Sequence, residues 1–547
     1  MTSVKRNLYI ILTLGLLIRL VLIFNGHYIS PDGTQYASLG YHLFHDFRYV
    51  SNGAQFPDII QPPLYPFLLG AFTFFLRPEY AGKIISLIFG LALIWAMFRF
   101  TDRLTGNQKL ALSAGVFVAV NPALAAVSSQ VATEALYLFL LFYLYGTVLF
   151  YLKTRTLGKI LVAGLLTGLI YLTRPEGLLY FGIILLILIL WRQPWRHLMV
   201  YGSIVLGFFL VYAVATYPSL GYWTISPKLS FVKAQGTTSR YFLQQDQEFH
   251  RKTNPKVHLQ RFRYALAPDK KDLAANELFK KNEAALKHFK NGKKNGANRK
   301  YSVKRFALHL SANLTLAAKK FVSGWAFPWG FWFFLLFGLW RFPFKKWKRE
   351  IIFSAIFVLP VGAVLFSNVE QRFLYIIPVI LTPILGRGLL QADHLLTKSI
   401  HGKTGKRIIR ITLYALIILS VYPAYSDIWH KTRAKDYYYQ VAQWLKHEVP
   451  QEKVIAASVP QAVFFADRKY APLPYAPLDS LELYLRHNRV AFILLEVNNR
   501  QLHPALKDVK HLPSFLDKKE SIKIRNKNFV LLRVKKESAH ERTNANH

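Results

Sequence analysis

The sequence predicts a polytopic α-helical membrane protein that carries a small α/β domain at its carboxyl end. Of the 547 residues, 52% are hydrophobic and only 18% are charged, whereas soluble domains contain about 25% charged residues. Long stretches without any charge alternate with stretches that are crowded with Lys and Arg. This pattern excludes a soluble enzyme and a disordered chain, and it indicates many membrane spans.

Charge and cysteine content narrow the function classes. The chain contains no cysteine, which excludes disulfides, thiolate metal sites and cysteine nucleophiles together. The formal net charge of +41 would favour a nucleic-acid partner if the protein were soluble. In a protein with many spans, basic loops that face anionic lipid headgroups explain the charge instead, so we expect membrane lipids and no nucleic acid as partners.

The apolar runs predict about eleven membrane spans. They are residues 8–24, 81–100, 110–127, 132–152, 160–172, 177–191, 198–217, 321–340, 351–366, 373–390 and 408–425. The first run follows a short basic segment, contains Arg19 and has no small-residue cleavage site after it. We therefore interpret it as a retained span rather than a removed signal peptide.

A further apolar run, residues 63–76, has the length of an interfacial helix more than that of a span. If it does not cross, all the short basic segments fall on one side together with the amino terminus. These are residues 5–6, 103–109, 153–159, 192–196, 341–349 and 398–407. Because short basic loops face the cytoplasm, the sequence predicts interfacial helices in a first outer loop, residues 26–80.

This topology places the remaining loops on the extracytoplasmic side. They include the turns near 128–133, 173–176 and 367–372 and the long segment 218–320, which has 22 Lys and Arg against 6 Asp and Glu. Long loops are translocated largely regardless of charge. The segment either guides an anionic lipid carrier or acceptor, or is a solvated loop, and the sequence does not choose between them.

The carboxyl-terminal part has a different composition. Residues 435–447 and 478–487 are predicted helices, and 454–458, 490–497 and 529–534 are predicted strands. Helices that alternate with strands indicate a small α/β domain. We thus expect a transmembrane domain over 1–430, an extracytoplasmic domain over 431–535 and a flexible tail over 536–547.

Charged residues at the outer ends of the predicted spans are the candidates for chemistry. Asp32 follows the first span, and at an interface a carboxylate can act as a general base, although Pro31-Asp32-Gly33 is also a common turn. Glu134 begins a span, where it could serve a site or only complement the helix dipole. Arg174 and Glu176 share one tight turn and either neutralise each other or face a polar cavity.

Arg372 follows Glu370 in another outer turn, where it could bind a phosphate or extend to the membrane surface. The predicted topology brings these residues to one face. A carboxylate and arginines at the outer leaflet suit transfer from a phosphorylated lipid, because guanidinium groups stabilise the negative charge of a departing phosphate. The alternative is a transporter or flippase for a lipid-linked saccharide, which would also need charged residues in the membrane.

Several short motifs, in this order, resemble one known group of proteins. They are Pro31-Asp32-x-x-x-Tyr36-Ala37, Pro62-Pro63-Leu64-Tyr65-Pro66, Thr133-Glu134-Ala135, Thr173-Arg174-Pro175-Glu176-Gly177 and Arg372-Phe373 before Pro378. The sequence is similar to the bacterial branch of the protein mannosyltransferase superfamily, which includes the lipid A aminoarabinose transferases. These are GT-C-fold glycosyltransferases that use lipid-phosphate sugars as donors.

The resemblance implies a membrane glycosyltransferase of the bacterial inner membrane. It would transfer a sugar from a polyprenyl-phosphate donor, with inversion, to a lipid, glycan or protein acceptor on the extracytoplasmic face. The resemblance implies Asp32 as the catalytic acid residue of the first outer loop, and Tyr36 and Tyr65 as supporting residues within its motifs. Many relatives have Asp followed directly by Glu, whereas Gly33 follows Asp32 here. We therefore expect no metal and no cofactor beyond the lipid co-substrate.

In this mechanism Asp32 would remove the proton of the acceptor, and Arg372 and Arg174 would bind the departing lipid phosphate. Glu134 or Glu176 would orient the two arginines.

Overall fold

The computed structural model describes residues 3–50, 61–220, 223–226, 303–322, 325–366, 370–398, 400, 402–457, 460–473, 478–497, 506, 509 and 511–535. Most of the basic segment 218–320 and the whole predicted tail lie outside the described residues. Helices dominate the described part of the chain. Up to the basic segment they are α1 (Ser3–Ile23), α2 (Pro31–His45), α3 (Leu64–Phe72), α4 (Pro78–Thr105), α5 (Gln108–Val120), α6 (Pro122–Val127), α7 (Glu134–Thr154), α8 (Leu157–Thr173), α9 (Gly177–Leu190) and α10 (Trp195–Leu220).

After the basic segment, the chain forms further helices and two 3₁₀ turns, η1 and η2. They are α11 (Val303–Val322), α12 (Trp329–Leu339), α13 (Lys348–Val358), η1 (Leu359–Phe366), η2 (Gln371–Leu374), α14 (Ile376–Lys398) and α15 (Lys403–Ala434). Six helices of the described residues are long and apolar enough to cross a membrane: α1, α4, α7, α10, α14 and the helical stretch that begins with α15. Shorter apolar helices account for further predicted runs, so the fold class is confirmed, and the number of spans stays a prediction.

Two predicted runs are interrupted where the sequence places proline. Residues 110–127 form α5 and α6, which meet at Asn121; its side chain accepts a hydrogen bond from the backbone N–H of Leu124, and Pro122 begins the next helix. Proline lacks an N–H and suits the first position of a helix. Residues 351–366 change from α13 to η1 at Leu359, just before Pro360. Each apolar run is therefore helical but not a single straight span.

The apolar core of the bundle joins α5, α12, α14 and α15. Phe117, Phe331 and Phe334 pack there with Leu385 and Ile417. The axes of α12 and α14 come close together because glycines line their contact: a Cβ atom at Gly388 would lie 1.7 Å from the carbonyl oxygen of Phe334. Small residues at helix contacts are a common way to pack helices in membranes.

The described residues of the predicted first outer loop form two helices ahead of α4, which agrees with the predicted fold class. The helix α2 begins after Ser30, whose side chain accepts a hydrogen bond from the backbone N–H of Gly33, and Pro31 occupies its first turn. Asp32 follows within that turn, where a carboxylate is favourable to the helix dipole. The second helix, α3, has nine residues, far fewer than the roughly 20 that a bilayer span requires.

The carboxyl-terminal part forms a five-stranded sheet with the strand order β2-β1-β3-β5-β4. Its elements are α16 (Tyr437–Glu448), β1 (Val454–Ala457), α17 (Pro460–Phe465), β2 (Lys469–Pro472), α18 (Leu478–His487), β3 (Val490–Glu496), β4 (Leu516–Ile524) and β5 (Lys527–Val534). The strand β1 pairs in parallel with β2 and β3, whereas β5 pairs antiparallel with β3 and β4. The predicted α/β domain is present, with two strands more than the sequence indicated.

The two additional strands have clear reasons for their absence from the prediction. The strand β2 has four residues and ends in proline, and the edge strand β4 is mostly exposed and contains three Lys, one Asp and one Glu. An exposed edge strand does not show the apolar alternation that identifies a half-buried one. Tertiary pairing with β5, and not local pattern, determines β4.

Contacts within the described chain define two compact units. One takes in the described residues of Met1–Gly26, Ile60–Lys228 and Tyr301–Arg433, and we call it the membrane unit. The other takes in those of His27–Ile59 and Ala434–His547, and we call it the outer unit after the side of the membrane that the sequence predicts for it. The outer unit therefore contains α2 of the first loop as well as the sheet.

Candidate active site

The membrane unit brings together four of the predicted site residues. Glu134 and Arg174 are buried, and Arg174 Nη1 lies 2.9 Å from Glu134 Oε1. Arg372 Nη1 reaches the same carboxylate oxygen at 3.2 Å. Arg174 Nη2 also lies 3.1 Å from Glu176 Oε1. One carboxylate thus links two arginines that stand far apart in the sequence.

A fifth residue, Glu370, completes what we call the ion-pair cluster, because its carboxylate pairs with the guanidinium of Arg372. The five residues, Glu134, Arg174, Glu176, Glu370 and Arg372, carry three negative and two positive charges. Arg174 is buried, while the Arg372 side chain is 35% exposed. Arg372 is therefore the arginine of the cluster that can meet a ligand directly.

Local sequence explains how Arg174 is presented. It ends α8 in an extended conformation, as is expected of a residue before proline, and its N–H donates to the carbonyl of Ile170. The turn needs a glycine at 177, since a Cβ there would lie 2.5 Å from the backbone of Tyr171. The guanidinium then lies 5.3 Å from the ring centre of Tyr137 and 5.1 Å from that of Phe373.

The charge state of Arg174 follows from its neighbours. Burial by itself would lower the pKa of Arg174, but the carboxylates of Glu176 and Glu134 raise that pKa well above its usual value. Arg174 stays protonated at every pH at which the protein would work. Its positive charge is already matched by two carboxylates, those of Glu134 and Glu176.

Tyr65 lies beside the turn that leads into Glu134. Its hydroxyl donates to the carbonyl of Gly82 at 2.9 Å and accepts from the N–H of Ala132 at 3.0 Å. The hydroxyl also lies 2.9 Å from Ser86 Oγ, and the Tyr65 side chain is fully buried. Tyr65 thus joins α3 and α4 to the residue two positions before Glu134. Its supporting role in the site stays a prediction.

Asp32 and Tyr36 lie in the outer unit, on α2, where Tyr36 is buried and Asp32 is partly buried. The structure therefore gathers Glu134, Arg174, Glu176 and Arg372 in one unit and places Asp32 in the other. That Asp32 shares a chamber with the arginines stays a prediction of the resemblance.

Lys83 is a candidate that the sequence reasoning missed. It lies in α4, is only 5% exposed, and its Nζ donates to the carbonyl of Ile23 at 3.3 Å. Among the described residues it makes no ion pair, since the neighbouring Glu79 pairs with Arg77 at 3.0 Å. A buried ammonium in a membrane helix is costly and marks a functional site by default. An intramembrane lysine at the outer end of a predicted span was the signal that could have identified it.

The fold and the ion-pair cluster define a polytopic α-helical membrane protein with paired charges gathered among its helices. Residues 60–217, which include α3 and the turns of Glu134 and Arg174, match the family described as dolichyl-phosphate-mannose-protein mannosyltransferase. A comparison with curated protein sequences finds no match.

Solved structures extend the likeness over nearly the whole chain. ArnT from Cupriavidus metallidurans in the apo state is similar with a TM-score of 0.57 and 12% identity, covering 97% of this chain and 99% of that one. The same protein bound to undecaprenyl phosphate has a TM-score of 0.56 and 11% identity, with the same coverage. The family match thus confirms the predicted resemblance over residues 60–217, and at this identity the solved structures show a shared fold.

Proposed function

We propose that the protein is a membrane glycosyltransferase that transfers a sugar from a polyprenyl-phosphate donor to an acceptor on the extracytoplasmic face. The observation that supports it best is the ion-pair cluster, which holds the partly exposed Arg372 against the buried carboxylate of Glu134. The family match at 60–217 and the likeness to an ArnT bound to undecaprenyl phosphate agree with such a donor. Sugar and acceptor are not named by these residues.

In the proposed reaction, Asp32 accepts the proton of an acceptor hydroxyl or amine as the acceptor oxygen or nitrogen attacks the anomeric carbon. The bond between that carbon and the phosphate oxygen breaks, and the electron pair leaves with the polyprenyl phosphate. A single displacement of this kind inverts the anomeric configuration. No metal takes part in this scheme, because cationic side chains supply the charge that the leaving phosphate requires.

Charge balance indicates which cations bind the phosphate. The five residues of the ion-pair cluster sum to one negative charge, which alone would repel a phosphate. Lys83 adds a positive charge without a carboxylate partner among the described residues. We therefore assign the donor phosphate to Arg372 and Lys83, with Arg174 holding Glu134 and, through it, Arg372.

The test of this function is a transfer assay. The purified protein is incubated in lipid nanodiscs with radiolabelled polyprenyl-phosphate sugars and a bacterial envelope lipid extract as acceptor. A transferase releases free polyprenyl phosphate and forms a new labelled glycoside, whereas a transporter or flippase does neither. If the radiolabel stays on the intact donor with every acceptor that is tested, the proposal is contradicted.

Replacing Arg372 by alanine is expected to raise the KM for the donor by about tenfold to a hundredfold, because a charge-assisted contact to phosphate contributes about 1.5–3 kcal/mol. Arg372→Lys should recover part of the affinity by keeping the charge. Initial rates over a range of donor concentrations measure this. Arg410→Ala is the matched control, since Arg410 is an exposed arginine paired with Asp393. An unchanged donor KM would refute the assignment.

Replacing Lys83 by methionine separates function from stability. A buried ammonium that makes no ion pair costs stability, so its replacement by an apolar side chain of similar length should leave the thermal midpoint unchanged or raise it. Donor binding, measured by competition with unlabelled polyprenyl phosphate, should weaken by about tenfold or more. A variant that is destabilised but binds the donor normally would show that Lys83 is a structural residue.

A further inference from the structure

The segment that leads to Asp32 is held by the carboxyl-terminal sheet domain. We propose that this domain positions the base: the contacts of His27 and Tyr28 with α16 fix the start of α2 and with it the Asp32 carboxylate. The inference rests on the proposed function, since it takes Asp32 as the base. It gives the carboxyl-terminal domain a role in the chemical step of the reaction, in addition to any role in binding the acceptor.

Two residues shortly before Asp32 contact the turn that leads into α16 and the first turn of that helix. The His27 ring stacks on the Tyr439 ring, with centroids 4.0 Å apart and planes 15° apart. The backbone N–H of His27 donates to Asp436 Oδ1 at 2.9 Å. Lys435 Nζ donates to the Tyr28 hydroxyl at 3.3 Å and lies 4.6 Å from the centre of that ring. Stacking, a charge-assisted hydrogen bond and a cation–π contact thus converge on residues 27 and 28.

The helix α2 itself is anchored in the same unit. Ile29 is 1% exposed, and Tyr36, Ala37 and Leu39 are buried along α2. The helix α2 packs against α17. Tyr439, which stacks on His27, also makes an edge contact with Phe465 of α17, at 5.7 Å between centroids. One aromatic residue of α16 therefore contacts both the approach to α2 and the helix on which α2 packs.

This arrangement matters because proton transfer depends on distance. A base must lie within about 2.6–3.2 Å of the proton's heavy atom, and a displacement of about 1 Å can lower a rate by about a hundredfold. The chain from Asn25 to Ser30 has no regular secondary structure, so it cannot fix α2 by itself. The Tyr439 stack and the Asp436 hydrogen bond supply the missing restraint.

The kinetic test compares two neighbouring tyrosines of α16. Tyr439→Leu removes the stack on His27 and should lower kcat by about tenfold, with an unchanged KM for the donor. Tyr438→Leu is the matched control: the same change on the same helix, at a ring that packs on Tyr437. His27→Leu and the double variant of His27 and Tyr439 complete a double-mutant cycle. Because both changes remove the same stack, the double variant should lose no more kcat than either single variant. Full kcat in Tyr439→Leu, or additive losses, would overturn the inference.

A second readout does not depend on activity. The chain has no cysteine, so Thr34→Cys introduces one thiol at a position of α2 that is 4% exposed. Alkylation of this thiol should be slow, and it should become several-fold faster when Tyr439→Leu is added but not when Tyr438→Leu is added. Equal rates in the two backgrounds would overturn the inference while leaving the transferase proposal intact. The assignment of Asp32 as the base is tested by a different variant, Asp32→Asn, and full turnover in that variant would refute it.

Discussion

Replacing Asp32 by asparagine is expected to reduce turnover by about a hundredfold to ten-thousandfold, the contribution that a general base usually makes. Asparagine keeps the shape of the side chain, and Ser30 still caps α2, so folding and membrane insertion should be preserved. Its amide cannot accept the acceptor's proton. The donor should therefore still bind, while the bond to the sugar no longer breaks at a useful rate.

Single-turnover release of labelled polyprenyl phosphate measures this loss directly, and donor competition measures binding in the same variant. Asp46→Asn is the matched control, because Asp46 lies at the other end of α2, where it pairs with His42. Turnover close to that of the unchanged protein in Asp32→Asn would remove Asp32 from the mechanism.

Replacing Glu134 by glutamine should destabilise the protein by about 3 kcal/mol, because two hydrogen bonds from guanidinium groups lose their charged acceptor. Arg174 keeps Glu176 and Arg372 keeps Glu370 as carboxylate partners, but the two guanidinium groups no longer share one charged oxygen. Arg372 should then move away from the position at which it binds phosphate. Turnover should fall together with stability.

The thermal midpoint in detergent, monitored by tryptophan fluorescence, gives the stability change, and the transfer assay gives the rate. Glu350→Gln is the control: Glu350 pairs with Lys153, which is 45% exposed, and such a pair usually contributes about 0–1 kcal/mol. If Glu134→Gln matched this control in both measurements, the ion-pair cluster would neither stabilise the bundle nor position Arg372.

Much of the membrane unit could be predicted from the sequence because apolar runs in a bilayer have few alternatives to helix. Without water, backbone N–H and C=O groups must pair within the segment. The helices α4, α7 and α10 were each expected from such a run. The dipeptide Asn121-Pro122 predicts the break between α5 and α6, because Asn is a favourable helix cap and proline suits the first position of a helix. The exposed strand β4 was not, because its pairing with β5 is a long-range property.

The candidate site was predicted in part. The sequence identified four charged residues at the predicted outer ends of spans as candidates, and each also had a local explanation. They are Glu134, Arg174, Glu176 and Arg372. Only their mutual distances show that Glu134 is the shared partner of both arginines. Lys83 escaped notice because it lies within α4, where a single lysine in a long apolar run resembles a residue that extends to the membrane surface.

The sequence by itself determined the membrane-spanning class and the residue types available for chemistry, since hydropathy and charge act locally on each segment. The tertiary structure alone decided that Glu134 joins two arginines 40 and 238 positions away. It also decided that the approach to Asp32 rests on a domain more than 400 residues later in the chain. Such contacts form because packing of distant helices brings together charges that burial then forces to pair, and no local pattern specifies which ones meet.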